Sequence, residues 1–161
     1  MTPLWLIVAQ GYLGVEETPG KLNSPVIQRW LRNLRAWWSD DATPWCATFV
    51  AECFLEVDID RPAAWYRAKA WLDWGRELTV PRLGCVIVYE RKGGGHVGFV
   101  VGRDASGRIM TLGGNQGDRV SIMPFDEARV VGYRWPLGEP LPEGAPLPVI
   151  DSTTPPSTQE G

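Results

Sequence analysis

The stretch Thr43-Pro44-Trp45-Cys46-Ala47-Thr48-Phe49-Val50 decides how the first half of this chain is interpreted. Threonine followed by proline is typical of a helix start, so we predict a helix with Thr43 as N-cap that ends near Val57. Cys46 then lies at the third helical position, where backbone N–H groups lack partners and the helix dipole favours negative charge. We therefore expect a pKa below the value of about 8.5 for a free cysteine. Its position alone is equally compatible with a small buried apolar residue.

Further helices are predicted on both sides of this one, and strands after them. Apolar spacing and start signals indicate helices at about 2–13, 24–34 and 63–74. Short β-branched runs indicate five strands, at 85–89, 96–101, 109–112, 120–123 and 130–135. Helices followed by a mostly antiparallel sheet of about five strands predict an α+β fold.

The chain divides into one domain, residues 1–136, and a tail, residues 137–161. Six of the 25 tail residues are proline, and Ser, Thr, Glu and Gly supply much of the rest. Such a composition buries little apolar surface, so we predict a disordered tail.

Composition excludes several classes of function. A net charge of −3 and a pI of about 5.2 argue against nucleic acid as a partner. The longest apolar runs are too short for membrane insertion. The three cysteines form no C-x-x-C pair, so neither a metal site nor a disulfide framework is predicted. We expect a monomer without a cofactor.

His96 is the single histidine, so any mechanism that needs an imidazole must use it. Strand alternation places it on one face with Gly98 and Val100. A solvated histidine at the edge of a loop is the alternative, and for a lone histidine it is the commoner one.

Asn115 completes a possible triad. If the strands on either side of the turn at 104–107 form a hairpin, residue 102 lies near 109 and His96 near Asn115, where the amide would fix the imidazole tautomer. Taken alone, Asn-Gln between glycines is better explained by an ordinary turn. Cys46, His96 and Asn115 nevertheless stand in the chain order of a Cys-His-Asn triad, which favours a catalytic interpretation.

Seven motifs carry a resemblance to a known family. In chain order they are Gly14-Val15-Glu16-Glu17-Thr18-Pro19-Gly20, Asp41-Ala42-Thr43-Pro44-Trp45-Cys46, Ala70-Trp71-Leu72-Asp73-Trp74-Gly75, Pro81-Arg82-Leu83-Gly84, Gly95-His96-Val97-Gly98-Phe99-Val100, Leu112-Gly113-Gly114-Asn115-Gln116 and Gly132-Tyr133-Arg134-Trp135-Pro136. Together they resemble the CHAP and NlpC/P60 cell-wall peptidases of phages and bacteria, within the papain-like superfamily. The chain departs from the family pattern at Cys85, where an aspartate is usual, and at Thr48, where an alanine is usual.

The resemblance implies a nucleophile, Cys46, a general base, His96, and an orienting residue, Asn115. It implies hydrolysis of an amide bond in peptidoglycan, by an endopeptidase or an N-acetylmuramoyl-L-alanine amidase, with no cofactor. We add three candidates for substrate contact, which are Asp41, Trp45 and Gln116; Asp41 is also a candidate anion at the helix start. Glu17 is left without a role.

The start of the chain lacks the basic residues of a signal peptide. We therefore expect a phage endolysin that stays in the host cytoplasm before release and then acts on the wall, or a particle-associated lysin. Two alternatives stay open: an inactive module that binds cell walls, and a papain-like acyltransferase or deamidase.

Overall fold

The computed structural model describes residues 2–18, 23–41, 43–142 and 144–150, and within them helices precede an antiparallel sheet. The helices are α1 (Leu4–Gly11), α2 (Pro25–Asn33), α3 (Cys46–Leu55) and a 3₁₀ helix (Ala68–Asp73). The strands are β1 (Arg76–Leu78), β2 (Val86–Arg91), β3 (Gly94–Arg103), β4 (Ile109–Gly113), β5 (Ser121–Phe125) and β6 (Val130–Trp135), with a 3₁₀ turn (Glu127–Arg129) before β6. The α+β prediction is confirmed, and the arrangement is compatible with a papain-like fold.

The helix starts follow the sequence to different degrees. The Ser24 hydroxyl accepts a hydrogen bond from Ile27 N–H, and Pro25 is the first residue of α2, as predicted. α3 begins at Cys46 instead of Pro44, because the N–H and the hydroxyl of Thr43 both donate to Asp40 and form a turn before the helix.

The other two predicted helices are shorter than expected. α1 starts at Leu4, with Pro3 at the cap position, and ends at Gly11. Of the helix predicted over residues 63–74, only a 3₁₀ helix over Ala68–Asp73 is formed.

The sheet has six strands in the order β1-β6-β2-β3-β4-β5, where the sequence predicted about five. The missed strand is β1, which pairs antiparallel with β6 from Arg76↔Trp135 to Leu78↔Tyr133. It spans three residues, and both Arg76 and Glu77 are exposed. A strand this short and polar shows no apolar alternation, so it is defined by its pairing with β6 and not by its own sequence.

α3 packs across β3 and so sets the position of Cys46. The Phe99 ring on β3 contacts two rings of α3, Phe49 at 6.2 Å and Phe54 at 5.6 Å between centroids. All three side chains are fully buried, and each is expected to contribute about 1.5–3 kcal/mol through removal of its apolar surface from water. This packing fixes the first turn of α3 beside the start of β3.

Part of the predicted tail contacts the domain. Arg103 N–H donates to Pro148 O (2.9 Å) and Ile150 N–H donates to Arg103 O (2.7 Å), which pairs Val149 with the end of β3 in parallel. The Arg82 guanidinium also donates to Pro142 O (3.2 Å). Residues 137–142 and 144–150 therefore make contacts that their composition did not indicate. Residues 143 and 151–161 lie outside the described part, where disorder stays a prediction.

No helix in the described ranges is long and apolar enough to cross a membrane.

Candidate active site

Cys46 is the first residue of α3, not the third as predicted, and it still lies in the first turn. The residue before it, Trp45, occupies the cap position and makes no side-chain capping bond. Cys46 is 5% exposed, whereas Cys53 and Cys85 are fully buried. Of the three thiols, Cys46 alone is open to approach from outside.

Burial raises the pKa of the Cys46 thiol, and this outweighs three favourable influences. The backbone of Val97, the charge of Arg91 and the backbone N–H groups of Cys46 and Ala47 in the open first turn each lower the pKa. The expectation of a lowered pKa is therefore wrong, because it considered the helix start without the desolvation around it. The influence of Val97 indicates that the thiol lies near the residue that follows His96.

The other two cysteines are a useful comparison. Burial raises the pKa of Cys53 well above its usual value, and the negative charges of Glu56 and Glu52 raise it further. Burial raises the pKa of Cys85 to about 12. Cys46 is the thiol beside which a cation lowers the pKa, so its surroundings are the most favourable of the three for a thiolate.

His96 lies inside the protein and not on a solvated loop edge. Its side chain is fully buried and stacks on Phe125 (centroids 5.4 Å apart, 19° between planes) and on Tyr89 (6.3 Å, 24°). Its Nε2 lies 2.9 Å from Oε1 of Gln116. Two stacked rings and one hydrogen bond hold the imidazole plane in a fixed orientation.

The hydrogen bonds of Gln116 assign the histidine tautomer. Gln116 Nε2 donates to Thr111 O (3.1 Å) and to Ser121 O (2.9 Å), so the amide NH₂ faces these carbonyls and Oε1 faces His96. A carbonyl oxygen only accepts, so the imidazole Nε2 carries the hydrogen and Nδ1 is the basic nitrogen of the neutral ring. Gln116 is fully buried and bonds to His96, to the Ser121 hydroxyl and to backbone carbonyls, while its role as a substrate contact stays a prediction.

Asn115 is not the residue that the structure bonds to His96. The predicted register is confirmed at Phe99↔Leu112, but β4 ends at Gly113, before the pairing reaches Asn115. Asn115 turns the chain with φ = 58°, a left-handed conformation that asparagine tolerates. Its side chain is buried, and its Oδ1 makes no hydrogen bond within the described residues. The amide that bonds to the imidazole therefore belongs to the next residue, Gln116.

Trp45 is buried and lies at the start of α3, while its role as a substrate contact stays a prediction. Its Nε1 donates to Glu17 Oε1 (2.8 Å), and its ring lies against Gly114, where a Cβ would come within 2.8 Å of the indole. The pKa of Glu17 is raised, chiefly by burial and also by the charges of Asp118 and Asp41, while the bond from Trp45 lowers it. Glu17, which the sequence left without a role, thus holds the residue that precedes the thiol.

Asp41 is also buried, and it organises the loop before α2. Its Oδ2 accepts hydrogen bonds from Thr18 N–H (2.9 Å) and Ser24 N–H (2.7 Å). A buried carboxylate bonded to two backbone donors acts as a structural anchor, while its role as a contact for a substrate amine stays a prediction. Part of the loop that contains Glu17, residues 19–22, lies outside the described residues.

Arg91 was missed by the sequence analysis. It ends β2, paired with Gly94, and its charge lowers the pKa of Cys46. Its Nε is buried and makes no hydrogen bond within the described residues. Nothing local marks it, because its relation to Cys46 depends on the packing of α3 against the sheet.

In the described ranges no group of three or more His, Cys, Asp or Glu side chains is placed to hold a metal ion.

One comparison with known proteins gives a family match. Residues 38–115 match the family model of the CHAP domain, a segment that contains Cys46, Arg91 and His96 and stops one residue before Gln116. No curated protein matches the chain. The matched segment is consistent with a CHAP-type peptidoglycan peptidase, and the CHAP domain implies peptidoglycan hydrolase activity in general.

Proposed function

We propose that this protein hydrolyses an amide bond of peptidoglycan with Cys46 as nucleophile, His96 as general base and Gln116 as the residue that orients the base. One observation carries the proposal. The imidazole, which bonds to Gln116 at 2.9 Å, belongs to the residue before Val97, and the Val97 backbone lowers the pKa of the Cys46 thiol. This supports a site at the start of β3 that uses both side chains, inside the segment that matches the CHAP domain.

The raised pKa of Cys46 determines how the first step runs. Since burial keeps the resting thiol protonated, attack on the carbonyl requires a base to take the proton at that moment. His96 supplies Nδ1 for this, while the hydrogen bond from Nε2 to Gln116 stabilises the imidazolium that forms.

The remaining steps use the same two groups. The sulfur bonds to the carbonyl carbon, the imidazolium gives its proton to the leaving amine, and the C–N bond breaks to leave an acyl-enzyme. A water molecule then loses its proton to His96 and attacks the thioester, which releases the acid and restores the thiol.

Two groups are placed to stabilise the negative oxygen of the intermediate. The Cys46 N–H lies in the open first turn of α3, where helix N–H groups lack partners within the helix. Arg91 adds a positive charge, and its buried Nε makes no hydrogen bond within the described residues. We assign the second stabilising interaction to Arg91.

The cleaved bond lies in the stem peptide or between the lactyl group and L-alanine, which makes the protein an endopeptidase or an amidase. We further propose that it serves as a phage endolysin or particle-associated lysin, which remains in the host cytoplasm until it gains access to the wall. The family resemblance and the acidic charge support this role.

Release of new amino groups from purified sacculi tests the proposal. Wild-type protein and Cys53→Ala should release them, while Cys46→Ala and His96→Ala should reduce release to background. Equal release by wild type and Cys46→Ala would contradict the assignment of the nucleophile. If the wild-type protein leaves the sacculi intact, the hypotheses that remain are an inactive module that binds cell walls and an acyltransferase or deamidase.

A further inference from the structure

Four aromatic side chains form a surface cluster where the segment after α2 meets the segment before the 3₁₀ helix. We call Trp37, Trp38, Trp65 and Tyr66 the aromatic platform; neighbouring ring centroids lie 4.7–5.8 Å apart. Trp37 is 75% exposed, while the other three are partly buried. At least one face of the Trp37 indole is therefore open to solvent. An exposed aromatic cluster of this kind marks an interaction site.

The platform is rigid before any ligand binds. Trp38 stacks on Trp65 with 26° between planes, and Trp37 stands edge-on to Trp38 (74°) and to Tyr66 (84°). The Trp71 indole donates to Trp65 O (3.0 Å), which ties the platform to the 3₁₀ helix. Binding would thus order few side chains, and this preorganisation favours affinity.

The surroundings of the platform are polar, which limits the chemistry of its ligand. A shallow pocket of about 230 Å³ adjoins it, and the lining side chains include Trp37, Trp38, Gln28, Arg32 and Ser39. The Gln28 amide donates to Ser39 O (3.2 Å), and a purely aliphatic ligand would displace water from the Ser39 hydroxyl and the Arg32 guanidinium without replacing its hydrogen bonds. A pyranose ring has a flat C–H face for an indole and hydroxyl groups around its edge for the polar side chains.

Positive charge at the rim adds a second requirement. The Arg67 guanidinium lies over the Tyr66 ring, 5.8 Å from its centroid, and Arg32 is exposed at the pocket. Both cations are complementary to carboxylates. A sugar polymer that bears carboxylate substituents is complementary to the aromatic, the polar and the charged side chains of this surface.

The platform is continuous with the candidate active site on both of its segments. The chain after Trp38 reaches Cys46 within eight residues. The chain after Tyr66 leads to Ala68 and Lys69, whose side chains lie within 3.5 Å of where a Cβ on Gly95, the neighbour of His96, would be. Both segments that carry the platform therefore connect along the chain to segments that carry the candidate site.

We propose that the aromatic platform binds the glycan strand of peptidoglycan and so presents the attached stem peptide to Cys46. The inference rests on the proposed function, which it deepens by assigning the sugar part of the substrate to Trp37 and its neighbours. Sugar rings stack on the open indole, and the hydroxyl and acetamido groups bond to Gln28 and Ser39. Carboxylates of the stem peptide, or of N-acetylmuramic acid residues that carry no peptide, pair with Arg32 and Arg67.

Calorimetric titration with peptide-free glycan strands of alternating N-acetylglucosamine and N-acetylmuramic acid tests the proposal. Full-length Cys46→Ala serves as the parent because it cannot turn over substrate. On this background we compare Trp37→Ala, Trp37→Phe and a matched control, Leu137→Ala, which removes a side chain that is 74% exposed outside the platform. Thermal unfolding of each variant verifies that the fold is kept.

The parent should bind glycan strands, Trp37→Ala should weaken binding about tenfold or more, and Trp37→Phe and Leu137→Ala should stay close to the parent. Absence of glycan binding by the parent, or equal binding by Trp37→Ala, would overturn the platform. Amine release from sacculi by wild type is scored separately. Release without glycan binding refutes the platform alone, whereas glycan binding that depends on Trp37 without release refutes the hydrolase and keeps the platform.

Discussion

Removal of the Gln116 side chain should cost more activity than removal of its neighbour, Asn115. In Gln116→Ala the imidazole loses its hydrogen bond of 2.9 Å, a bond to a group that becomes charged as the thiol attacks. Such bonds contribute about 1.5–3 kcal/mol, which at about 1.4 kcal/mol per decade corresponds to a loss of about 10- to 150-fold in kcat/KM.

The same substitution also affects stability. Gln116 Nε2 donates to Thr111 O and Ser121 O, and truncation leaves both carbonyls without this donor. Each buried acceptor left unsatisfied costs about 1–3 kcal/mol, so the midpoint of unfolding should fall measurably. Rates must therefore be measured well below that midpoint, on soluble peptidoglycan fragments and across pH.

Asn115→Gly is the matched control, since glycine accepts the φ of 58° and removes just the neighbouring amide. It should change kcat/KM less than about threefold, because the imidazole Nε2 bonds to the side chain of Gln116 and not to that of Asn115. A larger loss in Asn115→Gly than in Gln116→Ala would refute this reasoning and return the orienting role to Asn115, as the family resemblance implied.

Three other predictions follow from the same geometry. Iodoacetamide should alkylate Cys46 at least about tenfold faster than Cys53, and equal labelling of the two by mass spectrometry would contradict this difference in reactivity. Cys53→Ala should retain activity while losing about 1–3 kcal/mol of stability. Burial raises the pKa of Glu52 to about 8, so its contribution to stability is present at pH 4 and is lost as the pH rises through 8. Glu52→Gln should therefore flatten the pH dependence of the unfolding midpoint. An unchanged pH dependence would contradict this prediction. Arg91→Gln should lower kcat/KM about tenfold or more and Arg91→Lys should restore part of it, whereas full activity in Arg91→Gln would remove this residue from the site.

Much of the fold could be predicted because its signals are local. β6 runs from Val130 to Trp135 as the apolar pattern indicates, and α2 begins after a serine cap and a proline. β1 could not be predicted, since three mostly polar residues acquire strand geometry only by pairing with β6.

The sequence predicted individual residues of the candidate site, but not which of their side chains contact one another. Cys46 and His96 were found from residue type and position. Gln116 was predicted as a substrate contact and Asn115 as the partner of His96. Strand alternation identifies a cross-strand partner only where both strands continue, and β4 ends at Gly113. Past the end of a strand, the geometry of the turn determines which side chain contacts the neighbouring strand.

Burial and long-range contacts account for the other differences. The helix start suggested an acidic thiol, but the pKa of Cys46 is raised by desolvation from side chains that are distant in sequence. Trp45 looked like a residue for substrate contact, and its partner, Glu17, lies 28 positions away. Neither relation leaves a local pattern, since both arise from packing between segments.

The most direct test of the central claim is mass spectrometry of purified sacculi digested in H₂¹⁸O with wild-type protein and with Cys46→Ala. Hydrolysis through an acyl-enzyme on Cys46 predicts fragments with a new amine, and fragments with one ¹⁸O in a new carboxyl group, from wild type alone. The mass of each fragment names the bond. Identical digests from the two proteins, or new carboxyl-bearing fragments without ¹⁸O, would contradict the claim that Cys46 is the nucleophile of a peptidoglycan hydrolase.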